Sequence, residues 1–202
     1  MRKLSKKLVI DTATNYVYLS LLINNIEVDY KYQEGINNHS VTIIPLLNEV
    51  LQRANLTLRD LDEIIVGIGP GSYTGVRIGV SVAKMIGYLN RIPLFTVSSL
   101  ALMASSSDEK YVLPFIDARR ENAFMGLYKQ TSEGIICIKN EALENVESYT
   151  NGIEEPFEII KEGKPQIEKI IKSNLLNLVE DVHSLVPNYM QITEAERNMR
   201  LQ

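Results

Sequence analysis

The sequence predicts an α/β protein made of two similar halves, on three observations. Short runs rich in β-branched residues alternate with segments of helical spacing, in the order strand-strand-strand-helix-strand-helix-strand-helix over residues 1–107. A block of apolar residues, Ile-Asp, polar residues, Asn and a strand occurs twice. It reads LVIDTATNYVYLSL and then PFIDARRENAFMGL, which sets Asp11 in register with Asp117. The 202 residues are 45% apolar and 23% charged, enough to bury a core in one large domain or in two of about 100 residues each.

The elements follow in order. Leu8 to Ile10 read as a buried strand, NYVYLSLLIN as a second and NIEVDYKYQ as an alternating third. Asn24 and Asn25 suit a tight hairpin because Asn tolerates positive φ. Ser40 is placed to cap a helix through VTIIPLLNEVLQRAN, whose Ile43, Leu46, Leu47, Val50, Leu51 and Ala54 recur at helical spacing. His39 beside it helps that helix start, and Pro45 belongs in or near the first turn, where a missing N–H does least harm. DEIIVGIG is a fourth strand, IPLFTV a fifth, and SSLALMASS a short helix capped by Ser98 or Ser99. Serine-rich SSSDEK then reads as a linker, dividing a first lobe (1–107) from a smaller, truncated second lobe (108–202). In the second lobe the pattern restarts with strands ending at Asp117, beginning at Asn122 and running through GIICIKN. It continues with a helix in ALENVESYTN, a short strand at FEII, and one or two helices carrying Ile167, Ile170, Ile171, Leu175, Leu178 and Val182.

Composition removes several functions. A net charge of -4 supplies no basic field to attract nucleic acid from a distance. The single cysteine, Cys137, forms no internal disulfide, which fits a reducing cytoplasm; its apolar run reads as core. No stretch of about 18 apolar residues suggests a membrane helix, and the first apolar run is short for a signal peptide. His39 and His183 have no second ligand at metal-binding spacing, so no metal site is expected. Neither a Ser-His-Asp nor a Cys-His arrangement is visible, so no catalytic residue is assigned.

The most informative stretch is GIGPGSYTGVRIGVSVAKMIGYLN, residues 67–90. Its glycines sit between a strand and a helix, where the backbone can take positive φ and admit a close neighbour. Gly69, Gly71, Ser72 and Thr74 could cradle a phosphate at the helix start, with Asp11, Thr12, Thr14 and Asp117 across a cleft. The spacing matches neither the Walker loop nor the dinucleotide fingerprint. Asp11 and Asp117 also have a plainer reading, as strand-end residues bonding their own turns. In the helix, Gly75, Gly79, Ala83 and Gly87 recur every fourth residue and leave one face nearly bare. Each interior glycine costs about 0.5–1 kcal/mol relative to alanine, so another backbone must pack closely there. The helix lacks a wide polar face, which points to a partner outside the chain as well as to the sheet inside it.

IDTAT, NHSVTIIPLLNEVL, GIGPGSYTGVRIGVSVAKMIGYLNRIPLFTVSSL, FIDARRENAF and PNYMQ occur in this order. The sequence resembles the TsaB family, also called YeaZ, strongly over residues 8–128 and again at 187–191. The resemblance implies the duplicated ASKHA fold, actin-like and ribonuclease H-like. It implies a non-catalytic scaffold in making N6-threonylcarbamoyladenosine at position 37 of ANN-decoding tRNAs. The implied partners are a TsaD homologue, a metal-containing paralogue that transfers the group, and the ATPase TsaE. tRNA is met only through the complex, and the chain is expected to pair with itself when alone. ATP, magnesium and metal would belong to the partner subunits, with no cofactor held by this chain.

In that family the first two long helices pair with their equivalents in the partner. Carried to this sequence, the interface is Ile43, Leu47, Val50, Gly75, Arg77, Gly79, Val80, Ala83, Lys84 and Gly87. Three departures stand out: the second half is short, YMQ replaces the usual Tyr-Leu-Arg, and Ala13 stands where an active phosphate loop has Gly. The alternative from the residues is an ATP-dependent small-molecule kinase of the same fold. Peptidase chemistry lacks a nucleophile–base pair or metal ligands to carry it.

Overall fold

The computed structural model describes residues 4–35 and 39–190. The first lobe opens with β1 (Lys6–Asp11), β2 (Tyr16–Ile23) and β3 (Ile26–Glu34), then α1 (His39–Arg53) and a 3₁₀ turn at Leu58–Asp60. It continues with β4 (Glu63–Gly67), α2 (Tyr73–Asn90), β5 (Leu94–Val97) and α3 (Ser99–Ala104). The rest of the chain carries β6 (Tyr111–Asp117), β7 (Asn122–Thr131), β8 (Gly134–Asn145), α4 (Val146–Thr150), β9 (Glu158–Ile160), α5 (Ile167–Lys172) and β10 (Asn177–Leu178). Two sheets result, a six-stranded one in the order β10-β5-β4-β1-β2-β3 and a four-stranded one in the order β8-β7-β6-β9.

Alternation along β1 and β2 explains the layering. Successive side chains of a strand point to opposite faces. Leu8 and Ile10 pack with Leu19 and Leu21 under α1 and α2, beside Ile43, Leu47, Val50, Val76, Val80 and Ala83. Val9 points the other way and joins Tyr18, Leu22, Leu100, Val112, Tyr128, Ile135, Ile167 and Ile170. The second layer is therefore built by both lobes at once. Asn24 and Asn25 both have positive φ, at 53° and 66°, and close the β2–β3 hairpin as expected.

Five expectations need correction. Pro45 lies inside α1, past its first turn. It and Val41, whose carbonyl its ring displaces, are both on the exposed side, so water can take the lost bond. Ser40 is within α1 rather than its cap, and residues 36–38 before it lie outside the described residues. The serine linker is a packed joint. Ser105 is fully buried, bonds Leu102 O and accepts Gln166 N–H at 3.1 Å. Cys137 is exposed on β8; residual burial and the charge of Glu141 push its thiol up, away from a reactive thiolate. Finally, only α5 is helical between 165 and 186. The chain then returns to the first sheet as β10, where Val179 N–H donates to Leu94 O at 2.8 Å.

Candidate partner face and interlobe cleft

Two hollows flank the start of α2. One is a cleft of about 720 Å³ between the lobes, lined among others by Thr14, Tyr16, Ser72, Tyr73, Asp117, Arg119, Lys161 and Glu162. The other is an apolar groove of about 420 Å³ between α1 and α2, with Ile44, Tyr73, Thr74, Arg77, Ile78, Ser81 and Val82 in its walls. Tyr73 belongs to both.

The glycine turn is fitted to the turn after β1. Ser72 N–H donates to Ala13 O at 2.7 Å, and a Cβ on Gly71 would stand 2.2 Å from that same carbonyl. Ser72 Oγ caps α2 by accepting Gly75 N–H at 3.2 Å. Thr12 reaches the helix itself: its Oγ1 donates to Gly75 O at 2.6 Å and accepts Gly79 N–H at 3.0 Å. A Cβ on Gly75 would meet Thr12 O at 2.2 Å, and one on Gly79 would meet Thr12 Oγ1 at 2.5 Å. The close neighbour that the bare helix face calls for is therefore the chain's own β1 turn.

This reassigns most of the expected interface. Ile43, Leu47, Val50, Gly75, Gly79, Val80, Ala83 and Gly87 are buried within the chain. Lys84 is committed internally, its Nζ donating to His183 O at 3.0 Å and Leu185 O at 2.8 Å. Arg77 alone of that set is exposed. The outward apolar side chains are instead Val41 and Ile44 on α1 and Tyr73, Met85, Tyr88 and Leu89 on α2. Counting apolar residues in the helix finds them, but only the positions opposite the glycine stripe identify them as outward.

The expected phosphate-loop set is split. Thr14, Gly71, Ser72 and Asp117 line the cleft. Thr74 faces the groove, and Asp11, Thr12 and Gly69 are buried behind the turn. Asp11 Oδ1 accepts Ala13 N–H at 3.1 Å, and Asp117 Oδ1 accepts Arg119 N–H at 2.8 Å. The internal repeat thus extends to the same bond, two residues on, in each lobe. Ser99, read only as a possible cap, joins Asp11 to the glycine turn: it donates to Asp11 Oδ1 at 2.9 Å and accepts Gly69 N–H at 3.0 Å. Burial pushes the Asp11 carboxyl up to about 6, against the opposing pull of its bonds to Ala13, Ser99 and Thr12. The cleft carries both signs of charge, Asp117 and Glu162 with Arg119 and Lys161. His39 ties α1 to the β1 turn, with Nε2 3.1 Å from Thr14 O. Among the described residues, no group of His, Cys, Asp and Glu is placed to hold a metal ion, and no helix is long and apolar enough to cross a membrane.

A family model described as "TsaD: tRNA N6-adenosine threonylcarbamoyltransferase" matches residues 20–194. The "tRNA threonylcarbamoyladenosine biosynthesis protein TsaB" of Bacillus subtilis is 31% identical, across 94% of this chain and 95% of its own length. The Escherichia coli protein of the same name is 33% identical, across 63% of this chain and 57% of its own. Among solved structures, YeaZ from Pseudomonas aeruginosa superposes with a TM-score of 0.75 at 21% identity, covering 92% of this chain and 99% of that one. A second structure, of an uncharacterized protein from the same organism with similarity to the peptidase YEAZ, gives 0.77 at 20% identity, covering 93% and 100%. With the two-sheet ASKHA-type architecture, the fitted glycine turn and relatives that match along nearly the whole chain, this protein belongs to the TsaB (YeaZ) family.

Proposed function

We propose that this chain is a non-catalytic subunit in the cytoplasmic biosynthesis of tRNA threonylcarbamoyladenosine, docking a TsaD homologue through the outer face of α1 and α2. A TsaE homologue joins the larger assembly, and tRNA is engaged only through it. The observation that carries this reading is the apolar groove between α1 and α2 with the exposed ridge of Ile44 and Tyr73 in its walls; Val41 on α1 and Met85, Tyr88 and Leu89 further along α2 are exposed as well. A single exposed apolar side chain is ordinary, but a cluster on two adjacent helices marks a contact surface. In the absence of TsaD the same ridge serves a second copy of the chain. The relatives' name supports the pathway; ATP, magnesium and metal are assigned to the partner subunits.

Size-exclusion chromatography with light scattering tests this on the chain alone and mixed with the TsaD homologue of its organism. A new 1:1 species, lost in Ser81→Arg, is expected, since Ser81 is an exposed wall of the groove. No new species would sink the reading. The alternative, an ATP-dependent kinase, draws on the cleft between Thr14, Ser72, Asp117 and Lys161. It requires heat of Mg-ATP binding in calorimetry that Asp117→Asn abolishes; a flat titration removes it.

A further inference from the structure

The PNYM segment near the C-terminus is a family block that the docking face leaves unexplained. Residues 179–190 run as a strap along α2, touching it at Tyr73, Lys84 and Tyr88; Lys84 and Tyr88 lie on a different face of the helix from the groove positions Ile78 and Val82, while Tyr73 borders the groove as well. Lys84 grips the strap at its His183 and Leu185 carbonyls, and His183 meets the Tyr88 ring edge-on at 4.6 Å. Asn188 N–H then donates to Ile68 O at 2.7 Å, which brings the strap to the glycine turn. Gly69 (φ 95°) makes room there: a Cβ on it would stand 2.7 Å from Asn188 O. The strap ends with Tyr189 stacked on Tyr73, centroids 4.6 Å apart and planes 24° apart. On Tyr73's own helix, the Arg77 guanidinium sits 5.4 Å over the ring, and Nη1 donates to the hydroxyl at 3.3 Å.

Tyr73 is the first residue of α2, half exposed, and a wall of both hollows. A half-exposed tyrosine that has to be ordered on association weakens binding by the rotamer freedom it loses. We propose that Tyr189 is a positioning residue for the docking face: stacked on Tyr73, it fixes Tyr73 and Arg77 before the partner arrives. This rests on the docking reading above.

The test is a double-mutant cycle in which affinity for the TsaD homologue is measured by calorimetry, with amide exchange of residues 68–78 followed in the chain alone. Tyr189→Ala should weaken association about three- to tenfold and speed exchange at the start of α2, while Tyr189→Phe, which keeps the stacking ring, matches the unaltered chain. In a Tyr73→Ala background, Tyr189→Ala should add no further loss. Unchanged affinity in Tyr189→Ala overturns the proposal, as does a loss that simply adds to that of Tyr73→Ala, which would make Tyr189 a direct contact. Unchanged exchange at residues 68–78 overturns it whatever the partner does. If the unaltered chain does not bind at all, the docking reading falls and this proposal with it, and the exchange data then report only whether the strap holds the helix start.

Discussion

Asp11 shows how much one buried side chain can set in a turn. Its carboxyl, held up to about 6 against an ordinary value of 3.8, is easier to protonate folded than unfolded. A carboxyl raised in this way stabilises the fold fully below its unfolded pKa, and that contribution is lost as pH rises through the folded one. Stability should therefore decline between about pH 4 and pH 6. Asp11→Asn keeps the oxygen that Ala13 and Ser99 bond and removes the buried charge. It is expected to flatten this slope and to stabilise the chain at pH 7 by about 2–3 kcal/mol, as read by thermal unfolding across pH. A flat profile in the unaltered chain would show that Asp11 is not carrying the burden. Thr12 is the opposite case, a hydroxyl in two good bonds; Thr12→Val should lower stability by about 1–2 kcal/mol in urea unfolding. The sequence makes both residues visible as a turn after a strand. It does not reveal that they meet Ser99 and Gly79, because those contacts span 88 and 67 residues.

At the scale of the element, α2 is where sequence and structure agree on the cause and differ on the object. Glycine every fourth residue does mean that something comes close. The sequence holds no sign of whether that something is a neighbouring molecule or the chain's own turn, since a bare helix face looks the same in both. The consequence for experiment is direct. Gly79→Ala or a larger residue there pushes a Cβ into Thr12 Oγ1 and should destabilise the fold by about 1–3 kcal/mol, seen as a lowered Tm, so it is a poor probe of docking. Met85→Glu, on the exposed side, should leave the Tm within a degree or two and abolish the 1:1 complex; a complex that survives would move the interface elsewhere. The strands were the most legible part, because Leu8, Val9 and Ile10 form an unbroken apolar run, as a strand buried on both faces requires. The stretch after α5 was the least: Leu175, Leu178 and Val182 sit at helical spacing, yet they belong to a return segment rather than to one helix, with Leu175 and Val182 against different cores and Leu178 exposed on β10.

Across the whole molecule, the two lobes are joined rather than hinged on a linker. Glu141 from β8 accepts from Ser98 of the first lobe and from Tyr128 of the second, both on Oε1. Gly126 makes space for that joint, since a Cβ there would stand 2.9 Å from the Tyr128 ring and 3.1 Å from Glu141 Cγ. On the cleft side Tyr16 donates to Glu162 Oε2 at 3.0 Å, and Gly163 N–H donates to the Tyr32 hydroxyl at 3.0 Å. Glu141→Leu should strand two hydroxyls and lower stability by about 1–3 kcal/mol, with faster amide exchange in both β5–α3 and β7. Exchange that changes in one lobe only would show that the joint does not couple them. Such a joint was not legible in a serine-rich segment, because the polarity that suggests a linker is the same polarity that lets Ser105 and Ser107 bond across a packed seam.

The return of β10 to the edge of β5 also bears on how the chain is made. Synthesis runs from the N-terminus, yet the sheet begun by Lys6 is finished only by Asn177 and Leu178. While the chain is still growing on the ribosome, the β5 edge and the flank of α2 stay uncovered, holding an open backbone edge beside apolar side chains. A nascent form of this protein is thus expected to engage holdase chaperones until the residues around 177–190 have cleared the exit tunnel, well after the first lobe has otherwise been translated.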